Sequence, residues 1–219
     1  FARKIDFTTG TNSRPYNIGL GDIDGDGKLD LVTPNAFASN VSVIRNTSTP
    51  GNLSFAGRVD FTTGDTPSGV AIGDLDGDGK PDIAISNLFS TSVSVFRNTS
   101  KVDTVALAAK VDFSTGATPF SVSMGDLDGD GKLDLTVANS GSSSLSVLRN
   151  TSSSGTLSFV AKVDLAVGSE PNIASIGDLD GDGKPDLATT NLRGNSASVL
   201  INQVTLPPSI SSFSPILGP

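Results

Sequence analysis

The stretch Asp22-Ile23-Asp24-Gly25-Asp26-Gly27-Lys28-Leu29-Asp30 places four carboxylates within one short segment of the chain. The same pattern, D-x-D-G-D-G-K-x-D, recurs at Asp74–Asp82, Asp126–Asp134 and Asp178–Asp186, and each copy starts 52 residues after the one before. A single copy would be compatible with a surface turn. Four copies at a constant interval predict a repeat architecture with four equivalent cation sites.

Each aspartate loop has the composition of a site for a hard cation. Carboxylates at positions 1, 3 and 5 point into one concavity when the backbone curls, and the glycine at position 6 permits that bend. The lysine at position 7 can offer its carbonyl with its side chain outward, and the aspartate at position 9 closes the shell. Since the chain has no His and no Cys, this oxygen-only set favours Ca²⁺. The alternative is a solvated turn without metal, which the repulsion among clustered carboxylates disfavours.

Four calcium sites, one per repeat, are therefore expected. The loop begins like that of an EF-hand, but position 12 holds Thr33, Ile85, Val137 or Thr189 instead of a bidentate glutamate. The predicted ligands are Asp22, Asp24, Asp26, Lys28 and Asp30; Asp74, Asp76, Asp78, Lys80 and Asp82; Asp126, Asp128, Asp130, Lys132 and Asp134; and Asp178, Asp180, Asp182, Lys184 and Asp186.

The charge of the chain is concentrated in these loops. Of the 23 acidic residues, four in each loop account for sixteen, and the formal net charge is −8. Four divalent cations would neutralise that charge, so the acidity does not require a basic partner. Nucleic acid is excluded as a partner because the sequence has no stripe of basic residues that would bind phosphates and release their counterions. No apolar run is long enough to insert in a membrane.

Other residues keep the same interval and predict the strands of each repeat. In the second repeat these are Val70–Gly73, Asp82–Ile85, Val93–Phe96 and, as the outer strand, Phe55–Phe61. Four antiparallel strands per repeat are typical of β-propeller blades. The residues that recur at intervals of 52 include Pro15, Pro67, Pro119 and Pro171; Asn35, Asn87, Asn139 and Asn191; and Asn46, Asn98, Asn150 and Asn202.

The two ends of the chain predict how the propeller closes. Phe1–Phe7 matches an outer strand without a preceding blade, and Ala197–Ile201 matches a third strand without a following outer strand. We therefore expect an all-β, four-bladed propeller over residues 1–202 in which the N-terminal strand completes the last blade and no edge is exposed. A monomeric ring is expected, the alternative being a larger dimeric ring. Residues 203–219 are predicted to be a Pro-rich tail or linker.

The run Gly-Asp-Leu-Asp-Gly-Asp-Gly-Lys-Pro-Asp, followed by Asn and a Ser-Val-Ser-Val strand, resembles the FG-GAP/VCBS repeat family, which includes integrin α-subunit propellers and bacterial surface proteins. The resemblance covers residues 1–202. It implies a β-propeller with Ca²⁺ between the first and second strands of each blade, bound by the ligands named above. It also implies a bacterial protein, extracellular or at the cell surface, with a role in adhesion or recognition.

Three classes of function are compatible with the sequence. The first is a non-catalytic adhesion or recognition module that binds a protein or glycan. The second is a lectin, although the chain has no Trp and a single Tyr. The third, least favoured, is a polysaccharide lyase or hydrolase; without His, its carboxylates would come from residues that mostly repeat and so suggest a strand-end role. These residues are Asp6, Asp60, Asp65, Asp103, Asp112, Asp164 and Glu170.

The edge of the propeller opposite the loops is where the repeats differ. Arg14, Tyr16, Phe120 and Arg193 are predicted to form a ligand face, because aromatic residues and Arg on variable loops often anchor partners. For Phe37 and Phe89 the alternative is packing between blades. Asn46, Asn98 and Asn150 fit the N-glycosylation pattern, although a turn-forming role reused by duplication is the favoured interpretation.

Overall fold

A computed structural model of the protein describes residues 4–204, which form four antiparallel sheets in chain order. The sheets contain β1 (Gly19–Gly21), β2 (Asp30–Asn35), β3 (Asn40–Ile44) and β4 (Val59–Thr62); β5 (Pro67–Gly73), β6 (Asp82–Asn87), β7 (Ser92–Phe96) and β8 (Val111–Ser114); β9 (Pro119–Gly125), β10 (Asp134–Asn139), β11 (Ser144–Leu148) and β12 (Val163–Ala166); and β13 (Pro171–Gly177), β14 (Asp186–Asn191) and β15 (Ser196–Leu200). One 3₁₀ turn spans Ala36–Ala38, and the described residues contain no α-helix.

The strand order confirms the antiparallel unit, although the outer strand listed with the second repeat, β4, pairs with β3 and completes the first sheet. Within each sheet, consecutive strands pair antiparallel, and each aspartate loop joins the first strand to the second. The outer strands are shorter than predicted: β4 begins at Val59, and Phe55 contributes only an isolated bridge to Asn46. Because second strands such as β6 are buried along their whole length, they tolerate the apolar runs seen in their sequence.

The hydrophobic core lies between neighbouring sheets. Three clusters of buried side chains fill the three junctions; the one between the first two sheets contains Ile23, Val43, Ile83 and Phe96. Close approach requires small residues on the innermost strand, such as Gly19. A Cβ added there would lie 2.8 Å from Ile72 Cδ1 of the next sheet. The sheets therefore stand face to face in a row, like the blades of a β-propeller.

The described residues do not show the predicted closure of the ring by the N-terminal strand. The last sheet has three strands, and residues 4–10 form none. The aromatic side chain of Phe7 packs edge-on against that of Phe55, with centroids 4.8 Å apart. Phe113 packs on Phe159 in the same way. The segment thus occupies the place of an outer strand before the first sheet, but β15 does not reach it. Residues 1–3, and the predicted tail from residue 205, lie outside the described residues.

Candidate metal sites and the opposite edge

The aspartate at position 1 organises the backbone of each loop. In the first copy, Asp22 Oδ1 accepts a hydrogen bond from the Asp26 N–H at 3.0 Å and Oδ2 accepts one from the Gly27 N–H at 2.9 Å. Gly27 has a φ of +85°, a conformation that glycine adopts without strain, so the predicted bend at position 6 is confirmed. The same bond from the position-6 glycine recurs at Asp74, Asp126 and Asp178.

The aspartate at position 9 has a structural role that the sequence did not reveal. Asp82 is fully buried, its Oδ2 accepts the Leu75 N–H at 2.9 Å and its Oδ1 accepts the Asn98 N–H at 2.7 Å. One side chain thereby connects the loop, the start of β6 and the end of β7. The equivalent bonds form at Asp30, Asp134 and Asp186.

Carboxylates converge in every loop, but not all the predicted ligands do. In three loops one oxygen from each of positions 1, 3 and 9 lies within 4.8 Å of the others, whereas in the second loop positions 1, 3 and 5 converge. These clusters are Asp22, Asp24 and Asp30; Asp74, Asp76 and Asp78; Asp126, Asp128 and Asp134; and Asp178, Asp180 and Asp186. The remaining carboxylates, Asp26, Asp82, Asp130 and Asp182, lie outside these clusters. In a further group, Asp24 and Asp26 approach Asp103 of the second repeat.

The sequence predicts that the lysine side chains point away from the loops, but not all of them do. Lys28 Nζ lies 2.7 Å from Asp26 Oδ2, and Lys184 Nζ lies 3.3 Å from Asp182 Oδ2. Lys80 and Lys132 instead donate to the carbonyls of Ser100 and Ser152, both at 2.8 Å. In the first and fourth loops, the ammonium group therefore partly neutralises the position-5 carboxylate.

Burial and neighbouring charge shift the protonation of the position-9 carboxyl groups. Burial raises the pKa of Asp82 to about 6 and also raises the pKa of Asp30 and Asp134, with nearby loop carboxylates acting in the same direction. The pKa of Asp186 is lowered instead, because the N–H groups of Asn202 and Leu179 donate to its carboxylate. Repulsion among clustered carboxylates is the electrostatic condition that a bound cation relieves.

The first three loops are also held by the following sheet. Asp24 Oδ2 accepts the Asp103 N–H at 3.0 Å, and Asp76 Oδ2 accepts the Gly155 N–H at 2.8 Å. The recurring asparagine adds a second bond from the next repeat to a loop carbonyl: Asn98 donates to Ile23, Asn150 to Leu75 and Asn202 to Leu127. Only the exact repetition of this asparagine in the sequence could have pointed to its role.

These contacts correct the N-glycosylation hypothesis for two of its three residues. Asn98 and Asn150 are fully buried, and the Nδ2 atom that would carry the sugar donates to two carbonyls in each case. Asn46 is only half-buried, and among residues 4–204 its Nδ2 donates to Leu29 O alone. The favoured interpretation, a structural asparagine reused by duplication, is confirmed for the two buried residues.

The opposite edge brings some of the predicted ligand-face residues together. The Arg14 guanidinium lies 5.5 Å from the Tyr16 ring centroid and 4.8 Å from that of Phe37, so these three side chains form one exposed cluster. Arg193 pairs instead with Glu170 at 2.8 Å, and Phe120 is half-buried. The alternative interpretation that Phe37 and Phe89 pack between blades is wrong, because they are 65% and 69% exposed.

The carboxylates considered for glycoside chemistry mostly have strand roles. Asp60, Asp112 and Asp164 each accept a hydrogen bond from a serine of the adjacent third strand at 2.6 Å. This agrees with the strand-end role that their repetition predicted. Glu170 is paired with Arg193, and Asp103 with Arg45 at 2.6 Å.

Comparison with known proteins agrees with this fold. A family model for the FG-GAP-like repeat matches residues 22–85, 86–137 and 126–189. None of the curated proteins searched matches the chain. Similar solved structures include two crystal structures of BBS1N in complex with ARL6DN, soaked with lead or with mercury, each with a TM-score of 0.54. Identity is 12% and 13%, and the alignments cover 85% and 84% of this chain and 56% of those chains.

Proposed function

Because the chain belongs to the FG-GAP-like repeat family, we propose that it is a calcium-stabilised β-propeller module that recognises a partner outside the cell and catalyses no reaction. The observation that carries the proposal is the fourfold clustering of loop carboxylates beside strand junctions. A catalytic centre is usually unique within a fold, whereas this arrangement repeats in every sheet. FG-GAP-like repeats are typical of extracellular proteins, and within residues 4–204 no helix has the length and apolar character of a membrane span.

Calcium fits the donor set of these loops. Only oxygen ligands are present, the converging carboxylates carry like charges, and the loop backbone is already curled by the bonds to the position-1 aspartate. The residues that would hold the ion are the converging aspartates, with the position-7 carbonyl as a further donor. When bound, Ca²⁺ supplies the positive charge that offsets carboxylate repulsion. Since the following sheet donates to Asp24 and Asp76, an ordered loop also supports the junction between sheets.

Recognition is assigned to the opposite edge. Arg14, Tyr16 and Phe37 form an exposed cluster of one cation and two aromatic rings, the residue types that often dominate binding energy at interfaces. A protein partner is favoured over a glycan because the chain lacks Trp and has a single Tyr for sugar stacking. BBS1N, which shares the fold, was crystallised in complex with another protein, ARL6DN.

Calcium dependence is tested by calorimetry of the metal-free protein with increasing Ca²⁺. A ligand that binds only the folded state stabilises it by about 2.7 kcal/mol per site when present at 100 times its dissociation constant. We expect a large rise in Tm that EGTA reverses, and a smaller rise in the double variant Asp74→Asn/Asp76→Asn. Asp65→Asn, which removes an exposed carboxylate outside the loops, serves as the matched control. A Tm unaffected by metal removal, verified by elemental analysis, would refute the proposal.

Recognition is tested on arrays of extracellular proteins and of glycans probed with the calcium-loaded chain. We expect the chain to bind a protein on the array. The affinity should fall at least tenfold in the double variant Arg14→Ala/Tyr16→Ala. It should persist in Leu53→Ala, an exposed change in the outer hairpin of the same repeat. Binding to glycans alone would identify a lectin instead. Binding that survives the double variant would place the recognition surface elsewhere.

A further inference from the structure

A buried asparagine joins the first aspartate loop to the second. Asn98 is fully buried, and its backbone N–H donates to Asp82 Oδ1 of the second loop at 2.7 Å. Its Nδ2 donates to the Pro81 carbonyl of the second loop at 2.9 Å and to the Ile23 carbonyl of the first loop at 2.8 Å. Its Oδ1 accepts the Ser100 N–H at 2.9 Å. Both amide hydrogens and the amide oxygen are therefore engaged, and one side chain contacts both loops.

The same connection recurs at the other internal junctions. Asn150 is also fully buried, and its N–H donates to Asp134 Oδ1 of the third loop at 2.8 Å. Its Nδ2 donates to the Leu133 carbonyl of the third loop and to the Leu75 carbonyl of the second, both at 2.8 Å. Asn202 makes the equivalent three bonds to the third and fourth loops. Three asparagines thus link the four loops in chain order.

A second link between the first two loops runs through the outer hairpin of residues 98–107. At the tip of this hairpin, the Asp103 N–H donates to Asp24 Oδ2 of the first loop at 3.0 Å. Nearer its base, the Ser100 carbonyl accepts a bond from Lys80 Nζ of the second loop at 2.8 Å. Asp24 is one of the carboxylates that converge in the first loop. The hairpin is therefore anchored on the second loop and holds a predicted ligand of the first.

The two loops face each other across a cavity of about 320 Å³. Residues 22–25 of the first loop line it together with residues 79–81 of the second, and Ser100 of the hairpin also lines it. Since open space separates the loops here, the asparagine and the hairpin carry the connection between them. Asn98 cannot move relative to either loop without leaving a buried polar group unpaired, which is costly.

Closing one loop therefore lowers the cost of closing the next. Clustered carboxylates repel one another, and a loop that must bring them together loses conformational entropy. When the second loop is closed, its bonds to Asn98 fix the hairpin. The fixed hairpin and Asn98 then hold the Asp24 carboxylate and the Ile23 carbonyl of the first loop. A site that is ordered in advance loses less entropy on binding, and this produces positive cooperativity without a change of fold.

We propose that the loops bind calcium cooperatively, and that Asn98, Asn150 and Asn202 are the positioning residues that couple each loop to the next. The inference rests on the proposed calcium binding and adds its regulation. Filling one loop raises the affinity of its neighbour, and by linkage the effect is equal in both directions. Couplings between sites commonly change affinity by about 5–150-fold. The chain then responds to calcium over a narrower range of concentration than independent sites would.

A luminescent reporter in the first loop tests the coupling. The chain has no Trp, so an indole introduced by Leu29→Trp, at the exposed position 8, reports Tb³⁺ bound in that loop. Displacement of Tb³⁺ by Ca²⁺ then measures the calcium affinity of the first loop. Adding Asp74→Asn/Asp76→Asn, which disables the second loop, should lower this affinity by about fivefold or more. Adding Asp178→Asn/Asp180→Asn in the fourth loop, which shares no asparagine with the first, should leave it nearly unchanged.

The two pairs of substitutions are matched in charge. Each pair removes two carboxylates, so the altered loop has the formal charge of a loop filled with Ca²⁺ but lacks the order that the ion imposes. A lower affinity in the first loop then reports the lost order of its neighbour and not a change in the electrostatic field.

Replacing one asparagine at a time separates coupling from folding. Asn98→Ala and Asn150→Ala remove the same buried side chain, but only Asn98 joins the first loop to the second. The fall in affinity caused by disabling the second loop should disappear in Asn98→Ala and remain in Asn150→Ala, the matched control. Hydrogen exchange of the Asp103 N–H gives a readout that leaves both asparagines in place. Ca²⁺ should protect this N–H less when the second loop is disabled.

The outcomes distinguish this inference from the proposed calcium binding. If neither ion binds in the Leu29→Trp chain with its loops intact, both proposals are overturned. If the first loop binds Ca²⁺ equally well with the second loop intact or disabled, the coupling alone is overturned. If the coupling survives equally in Asn98→Ala and Asn150→Ala, the asparagine does not carry it, and the proposal is overturned as stated.

Discussion

The second and fourth aspartate loops have the identical sequence Asp-Leu-Asp-Gly-Asp-Gly-Lys-Pro-Asp, yet their surroundings differ. In the second loop Leu75 is 1% exposed, the Leu75 carbonyl accepts a bond from Asn150, and burial raises the pKa of Asp82 to about 6. In the fourth loop Leu179 is 56% exposed, and backbone N–H groups lower the pKa of Asp186. The following sheet is the difference, so the environment of each loop is set by its neighbour.

The largest difference in stability between the two loops is expected when the leucine at position 2 is replaced. Leu75→Ala should lower the free energy of unfolding by about 2–5 kcal/mol, since it empties a buried site between two sheets. Leu179→Ala should change it by about 0.5 kcal/mol or less in the single chain, since that side chain is largely exposed. Urea denaturation of both variants at the same Ca²⁺ concentration measures the difference. The slope of the unfolding free energy against urea concentration should be equal for the two variants. Equal losses would mean that the fourth loop is covered in solution.

The next largest effect is expected from the asparagine that bonds to the preceding loop. Asn150→Ala leaves the buried carbonyls of Leu75 and Leu133 without their donor, which should cost about 1–3 kcal/mol. Asn46→Ala removes the bond to the Leu29 carbonyl and the one from the Ser48 N–H, both at a half-buried position, and should cost less. The same denaturation series measures both. If the two variants lost equal stability, the bond between sheets would contribute nothing beyond the local turn.

A smaller contrast is expected at the last glycine of the innermost strand. Gly73→Ala would place a Cβ 2.7 Å from Leu133 Cδ1, and overpacking of this kind typically costs about 1–3 kcal/mol, at the low end where a flexible side chain can shift. Gly177→Ala meets no atom within 4 Å and should be neutral or slightly stabilising in the single chain. Thermal melts compare them, and a marked loss at Gly177 would mean that another residue lies close to this position.

The smallest effect on stability is expected on the edge opposite the loops. Phe37→Ala and Phe89→Ala should each change the free energy of unfolding by about 0.5 kcal/mol or less, because both rings are mostly exposed. Of the two, only Phe37 lies against Arg14, so only its replacement should reduce partner binding. A loss of several kcal/mol in either variant would restore the interpretation that these rings pack between blades.

Much of the fold followed from the interval of 52 residues. The four sheets, their antiparallel order and the place of each loop between the first and second strands were predicted, because period-two alternation and fixed turn residues are local signals. The convergence of position-1 and position-3 aspartates was also predicted, since a curled loop brings alternate residues together. The role of Asp82 as an acceptor for two strands was not, because its donors come from different parts of the chain.

The sequence by itself determined the repeat unit, the four carboxylate loops and the identity of the strands, because these depend on residues close together in the chain. Only the tertiary structure decided which loops are covered, which aspartates gain a raised pKa, and that the N-terminal segment packs beside the first sheet instead of completing the last. The physical reason is that burial depends on the neighbouring sheet. Identical repeats therefore acquire different environments according to their position in the row.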